Sequence, residues 1–223
     1  LGRRGAGARL RQVPRWGFVQ PLTFHPRTQC ADPGAWGADI GAAAEVGRAA
    51  EVRIARLNVG GGFASHRGGA APDLEAIFAH IHAVTERAFG AKAPGLVCEP
   101  GRAMVADALT LATRVKALRA CGAVFLNDGI YGGLMEIRDI GAPGRIRVID
   151  PQGRERCAAP VPRVVFGPTC DSLDRLPEPL PLPGDIAEGD YVLFDGMGAY
   201  SRCLATGFNG YGLEDVVTVA DLR

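Results

Sequence analysis

The chain has 223 residues, 47% of them hydrophobic, with a formal net charge of +1, which is enough apolar material for one large domain or two smaller ones. Near-neutral charge, with basic residues gathered only at Arg3, Arg4, Arg9, Arg11 and Arg15, excludes nucleic acid as the main partner. No signal-peptide core opens the chain and no apolar run approaches the ~20 residues that span a bilayer, so no membrane partner and a cytoplasmic address are expected.

Residues 1–15 are polar, Gly/Arg-rich and without period. Gly17 to His25 is β-favouring and ends at Pro26, which predicts a strand followed by a loop. From Pro33 to about Ala50, Trp36, Ile40, Ala43, Ala44 and Gly47 recur at helical spacing. Val52 to Val59 returns to β character and runs into Gly60-Gly61-Gly62. A second helix is predicted over Pro72–Phe89 from Leu74, Ile77, Phe78, Ile81 and Val84, with Pro72 in its first turn and Asp73 and Glu75 at the positive end of its dipole. His80 and His82 lie two apart, face different sides and cannot jointly bind a metal. Gly95–Cys98 is a short strand ending at Glu99-Pro100-Gly101-Arg102. Strand, helix, strand, helix, strand is the alternation of a parallel sheet with crossover helices.

The pattern changes near residue 103. Short β-like runs follow (Leu109–Leu118, Ala123–Leu126, Arg145–Ile149, Arg163–Phe166, Tyr191–Phe194), separated by Gly, Pro and Asp turns, and predict an all-β domain. Leu176–Pro183 is expected to be a proline-rich surface loop. The predicted organisation is an α/β domain over residues 1–102 and a β-domain over 103–223. The six cysteines (Cys30, Cys98, Cys121, Cys157, Cys170, Cys203) show no C-x-x-C pair and no spacing with His suited to zinc, so free thiols and no metal site are expected.

Parallel α/β units carry their functional groups at the C-terminal ends of strands, where His25, Gly60–Gly62 and Glu99–Arg102 all fall. Glycines without Cβ let backbone N–H groups approach an anion. Arg102 can pair bidentately with phosphate, Glu99 can hold a ring nitrogen protonated, and His25 can stack on a ring. Each also has a plainer reading: a mobile glycine turn, a local Glu99–Arg102 ion pair, a hydrogen-bonded strand-end histidine.

FHPRTQC (24–30), LNVGGGF (57–63), EPGR (99–102), FLNDGIYGG (125–133), FGPTCDSLD (166–174) and GDYVLFDGMGAYSRCLATGFNG (189–210) resemble, in that order, the ornithine/diaminopimelate/arginine decarboxylase family, and ornithine and lysine decarboxylases most. These are fold type III pyridoxal-phosphate enzymes. The resemblance implies the C-terminal part of a TIM-like (β/α)8 barrel, about three strands, followed by an all-β sandwich or barrel domain. It implies pyridoxal 5'-phosphate as cofactor, with His25 stacked on its ring, Thr28 where a phosphate-binding serine usually sits, and Glu99 on the pyridine nitrogen. The backbone amides of Gly61 and Gly62, with Arg102 and Tyr200, complete the phosphate site. Cys170 matches the catalytic cysteine and Asp171 the carboxylate that reads the substrate's amine; in the family both reach into a partner's site across a homodimer interface. Asp139 is matched to a second substrate carboxylate, one residue short of the commonest spacing from Tyr131. Phe208 and Asn209 line the pocket. Diaminopimelate decarboxylases carry Cys-Glu-Ser where Cys170-Asp171-Ser172 stands, so the resemblance favours a basic amino acid and a diamine product.

The family's Schiff-base lysine has no counterpart motif; the two lysines, Lys92 and Lys116, stand in other contexts. A full barrel takes ~250 residues. The expectation is therefore a C-terminal portion, inactive alone: a truncated product, one half of a two-chain enzyme, or a non-enzymatic remnant that pairs with a full-length relative.

Overall fold

The computed structural model describes residues 21–212 and 215–219. The unperiodic start and the first part of the Gly17–His25 strand lie outside them. The described residues form two compact units, one running to Met104 and one from Val105, with the short segment Arg67–Gly69 belonging to the second.

In the first unit three parallel strands, β1 (Pro21–Thr23), β2 (Arg56–Asn58) and β3 (Gly95–Val97), lie in that order. Leu22, Leu57 and Leu96 share one register line across them. The crossovers are helices α1 (Gly37–Ala50) and α2 (Leu74–Phe89). Trp36, wholly buried, stacks on Phe63 at 4.9 Å, and Phe63 meets Phe78 at 5.0 Å. Ile40, Leu57, Val59, Ile77 and Ile81 complete this core. The Trp36 indole donates to the Val59 carbonyl at 3.2 Å, so the core also fixes the residue from which the glycine loop departs.

Local chemistry moves three expected boundaries. The Asp32 carboxylate accepts from the Gly34 amide at 2.9 Å and makes Pro33–Trp36 a 3-10 turn ahead of α1. Asp73 caps α2 through the Ala76 amide at 2.9 Å, so Pro72 precedes the helix and does not sit in its first turn. After α1, Glu51 turns left-handed (φ 57°) and Val52 donates to the Gly47 carbonyl, so the start of the expected Val52–Val59 strand is used to close a helix.

The second unit holds a five-stranded mixed sheet ordered β6-β10-β4-β5-β8, where β4 is Leu111–Leu118, β5 Val124–Leu126, β6 Ile146–Ile149, β8 Val165–Phe166 and β10 Tyr191–Phe194. Only β5 and β8 pair in parallel. Phe194, Val192, Leu126, Leu134 and Val115 fill its core. A register shift in the β4–β5 pairing leaves Lys116 as the extra residue between Val115 and Ala117. The expected Leu176–Pro183 loop is corrected in part: Leu180–Pro183 is strand β9, paired antiparallel with β7 (Pro160–Arg163) in a separate two-stranded ribbon. Leu180 and Leu182 are buried, and that burial drives the pairing despite four prolines. Pro160 faces Pro183 and Pro162 faces Pro181. Prolines have no N–H to exchange, so both pairs occupy the non-hydrogen-bonded positions of the ladder. Among the described residues no helix is long and apolar enough to cross a membrane.

Replacing Trp36 by Ala is expected to cost the first unit about 3–5 kcal/mol, through the cavity and the lost bond to Val59. A shift of the urea midpoint with unchanged slope is the expected reading.

Candidate active site

Three strand ends of the first unit meet at the glycine loop. The ladder continues past the strands: Phe24 N–H donates to Asn58, Val59 to Val97, Glu99 to Gly60 and Cys30 to Gly62, at 2.8–3.2 Å. Gly60 (φ 73°) and Gly62 (φ 82°) are left-handed, and a Cβ on either would strike the Phe24 or Arg27 carbonyl. A Cβ on Gly61 would come within 2.6 Å of the Glu99 carbonyl.

Side chains on this rim are then ordered by the loop's amides. Gly61 N–H donates to His25 Nδ1 at 3.2 Å, which makes Nδ1 the acceptor and leaves the proton on Nε2. Gly60 N–H donates to Asn58 Oδ1 at 2.9 Å, and Asn58 Nδ2 donates to Glu99 Oε1 at 2.7 Å. Gln29 and Ser65 exchange two bonds, Gln29 Nε2 to Ser65 Oγ at 3.1 Å and Ser65 N–H to Gln29 Oε1 at 2.8 Å, and so hold the loop that presents exposed Thr28. Arg102 is buried at the start of the helical turn Arg102–Val105. A carboxylate, a guanidinium, an imidazole and a hydroxyl beside a backbone with no side chains is a donor set that fits a phosphorylated heteroaromatic ring. Of the two glycine amides expected on the phosphate, that of Gly61 already serves His25.

A second cluster lies within the second unit. Tyr131 O–H donates to Asp171 Oδ2 at 2.5 Å, and the Leu173 amide donates to Oδ1 at 2.9 Å. These two donors, the tyrosine first, hold the Asp171 carboxyl below the ordinary carboxylate range, and the same bond raises the Tyr131 phenol. The Tyr131 ring rests against Phe208 at 4.6 Å, and Asn209 Nδ2 lies 3.2 Å from Cys170 Sγ. Thr206 donates twice to the Tyr131 carbonyl, from its amide and its hydroxyl, both at 2.8 Å.

Two buried carboxylates support the loops that carry this cluster. Asp174, 1% exposed, accepts from the Ile130 and Thr169 amides, each at 3.0 Å, and so ties the Tyr131 loop to the Cys170–Asp171 loop. Asp128 accepts from Gly129 and Gly133 within its own loop, both at 2.9 Å; burial raises its pKa.

Cys170, Asp171 and Phe208, singled out from sequence, are thus brought together, as are His25, Gly61 and Glu99 on the other unit. Asp139 is exposed on the short helix Ile137–Ile140, and none of the bonds described for Cys170 or Asp171 involves it. Tyr200 belongs to the second unit, half-exposed in a left-handed conformation (φ 65°) before Ser201–Leu204. Asn58, Tyr131 and Asp174 were not assigned a role from sequence, although all three stand inside motifs already recognised. All six cysteines are free, and among the described residues no cluster of His, Cys, Asp or Glu could hold a metal ion.

The model of the pyridoxal-dependent decarboxylase C-terminal sheet domain matches residues 31–198. The chain belongs to the pyridoxal-dependent decarboxylase family. It is 32% identical to decarboxylase flvG of Aspergillus flavus over 91% of this chain and 50% of that protein. Against the chloroplastic ornithine decarboxylase of Nicotiana glutinosa the identity is also 32%, over 90% of this chain and 48% of the relative. The chain therefore spans about half the length of the curated relatives it matches. Among solved structures, the lysine/ornithine decarboxylase of Vibrio vulnificus complexed with cadaverine superimposes with a TM-score of 0.76 at 27% identity, covering 96% of this chain and 60% of that one.

Substituting Tyr131 by Phe is expected to move the Asp171 titration up toward its ordinary range, followed by carboxyl carbon NMR. In the wild type the depressed folded pKa favours the ionised native state, so this contribution to stability is present above the unfolded pKa and lost as pH falls through the folded value. Y131F is expected to remove most of that acid-side slope.

Proposed function

We propose that this chain carries the cofactor cradle and the substrate-reading loop of a pyridoxal-phosphate-dependent decarboxylase acting on ornithine or lysine, in polyamine synthesis. The observation that carries the reading is the Asp171 site: a carboxylate held ionised by Tyr131 and the Leu173 amide, directly beside a free cysteine. A permanent anion suits the distal ammonium of a basic amino acid. The first unit is read as part of a TIM-like barrel, with residues 1–102 as the cofactor domain and 103–223 as the β-domain.

When bound, the cofactor supplies the electron sink for the carbanion left as CO2 departs. In this reading Glu99 accepts the ring N–H, His25 packs on the ring, and Arg102, Thr28, Tyr200 and the glycine loop hold the phosphate. Asp171 binds the distal amine, with Asp139 as a further candidate and Phe208 as the apolar wall. Cys170 returns a proton to Cα. The sites are shared in a homodimer, Cys170 and Asp171 entering from one protomer to complete the cradle of the other.

A second reading, a catalytically dead partner of a full-length relative, is favoured by the lysines. Lys92 ends the turn Gly90–Lys92 that leads into β3, whereas Glu99 follows the same strand, so the two stand at opposite ends of it. Lys116 is exposed on the bulge of β4.

The 223-residue chain is expected to bind pyridoxal phosphate reversibly, to lose about tenfold or more in affinity with Arg102→Ala, and to release no CO2 from ornithine or lysine. Borohydride reduction followed by peptide mass spectrometry is expected to leave both lysines unmodified. Turnover by the chain alone, or cofactor fixed to Lys92 or Lys116, would overturn the reading of the isolated chain as inactive. The second reading is tested by mixing with a full-length relative: no mixed dimer on size exclusion removes it.

A further inference from the structure

We propose that Asn58 is the positioning residue for Glu99, setting the carboxylate's orientation toward the ring nitrogen of the cofactor. This rests on the reading that Glu99 takes that nitrogen. It concerns a residue to which neither the sequence motifs nor the family resemblance assigns a task.

The argument is one of donors and acceptors. Gly60 N–H is a backbone donor that can do nothing but donate, and it points at the Asn58 side chain at 2.9 Å. The atom it meets must therefore be Oδ1. That settles the amide's orientation, because an asparagine presents oxygen on one side and NH2 on the other. The NH2 consequently faces Glu99 Oε1, at 2.7 Å. An NH2 group only donates, so Oε1 is the acceptor of this bond. Glu99 is otherwise exposed, and its backbone is already tied to the same loop through Glu99 N–H to Gly60 carbonyl at 2.8 Å. Loop, amide and carboxylate form one closed circuit. With Oε1 engaged, Oε2 is the oxygen free for a ring N–H.

An aspartate at this position would keep the bond to Gly60 and reverse the other. It would set a second carboxylate against Oε1, and two carboxylates at that distance share a proton. The isosteric N58D substitution is therefore the informative variant, since it preserves shape and the loop contact while inverting the donor.

The test uses the full 223-residue chain as wild type, N58D, E99Q and N58D/E99Q. Thermal midpoints are measured from about pH 4 to 8, across and above the carboxylate range. Binding of pyridoxal phosphate and of its 1-deaza analogue, which lacks the ring nitrogen, is measured by equilibrium dialysis. The shared proton in N58D raises a folded-state pKa, so its stability is retained at low pH and lost as pH rises through that value, a slope absent from wild type. Adding E99Q, whose amide donates to the new carboxylate, is expected to abolish the slope. N58D is also expected to weaken pyridoxal phosphate about tenfold while leaving the deaza analogue unchanged. An N58D pH profile parallel to wild type, or unchanged discrimination between the two compounds, overturns the proposal. Equal binding of both compounds by wild type overturns the pairing of Glu99 with the ring nitrogen, and the positioning role with it. The pH profile then still reports whether Asn58 faces Glu99, so the two failures are told apart.

Discussion

Backbone packed directly on backbone is the constraint on which the first unit's rim depends. Gly60, Gly61 and Gly62 lie against the Phe24, Glu99 and Arg27 carbonyls so closely that a single Cβ would collide. The loops after β1 and β3 therefore lean on the loop after β2 with no side chain between them. That closeness puts the Gly60 and Gly61 amides within reach of Asn58 and His25, and it is why an exposed imidazole and carboxylate have defined hydrogen bonds. Trp36 extends the same constraint inward, since its indole holds the Val59 carbonyl one residue before the loop begins.

The second unit orders its loops by the opposite device. Asp174 and Asp128 occupy the space beside glycines and collect backbone amides there; Gly129 and Gly167 lack side chains because the Asp174 carboxylate fills their place. Burying a carboxylate is costly unless its lone pairs are met. Here each receives two amide donors, and the Tyr131 and Cys170–Asp171 loops are joined as a result. The partly exposed cluster of Tyr131, Asp171, Phe208 and Asn209 thus stands on a buried polar base.

Much of this was legible in the chain. The periodicity of Leu74, Ile77 and Ile81 located α2, and Tyr191–Phe194 emerged with the expected bounds, because long apolar stripes and turn-bounded β runs are local signals. The termini of elements were not, since Asp32, Asp73 and Glu51 decide them through single cap bonds. Leu180–Pro183 was hidden for another reason: its prolines signal a loop locally, and only a partner strand far along the chain shows which of its N–H groups are dispensable. At the site, motif residues with obvious chemistry stood out, whereas Asn58 reaches the Glu99 side chain and Asp174 the Ile130 amide, contacts between distant segments that no spacing encodes.

The proline ribbon bears on how this chain behaves in a crowded solution. A two-stranded ribbon has two open edges, each a template for a stray strand. At non-hydrogen-bonded positions the missing N–H is the one that would have pointed outward, so Pro160, Pro162, Pro181 and Pro183 remove donors from the edges and from nowhere else. The residues that make the segment look unfit for a sheet leave its pairing intact while offering a third strand carbonyl acceptors but no amide donors at those positions, which weakens further β assembly on either edge.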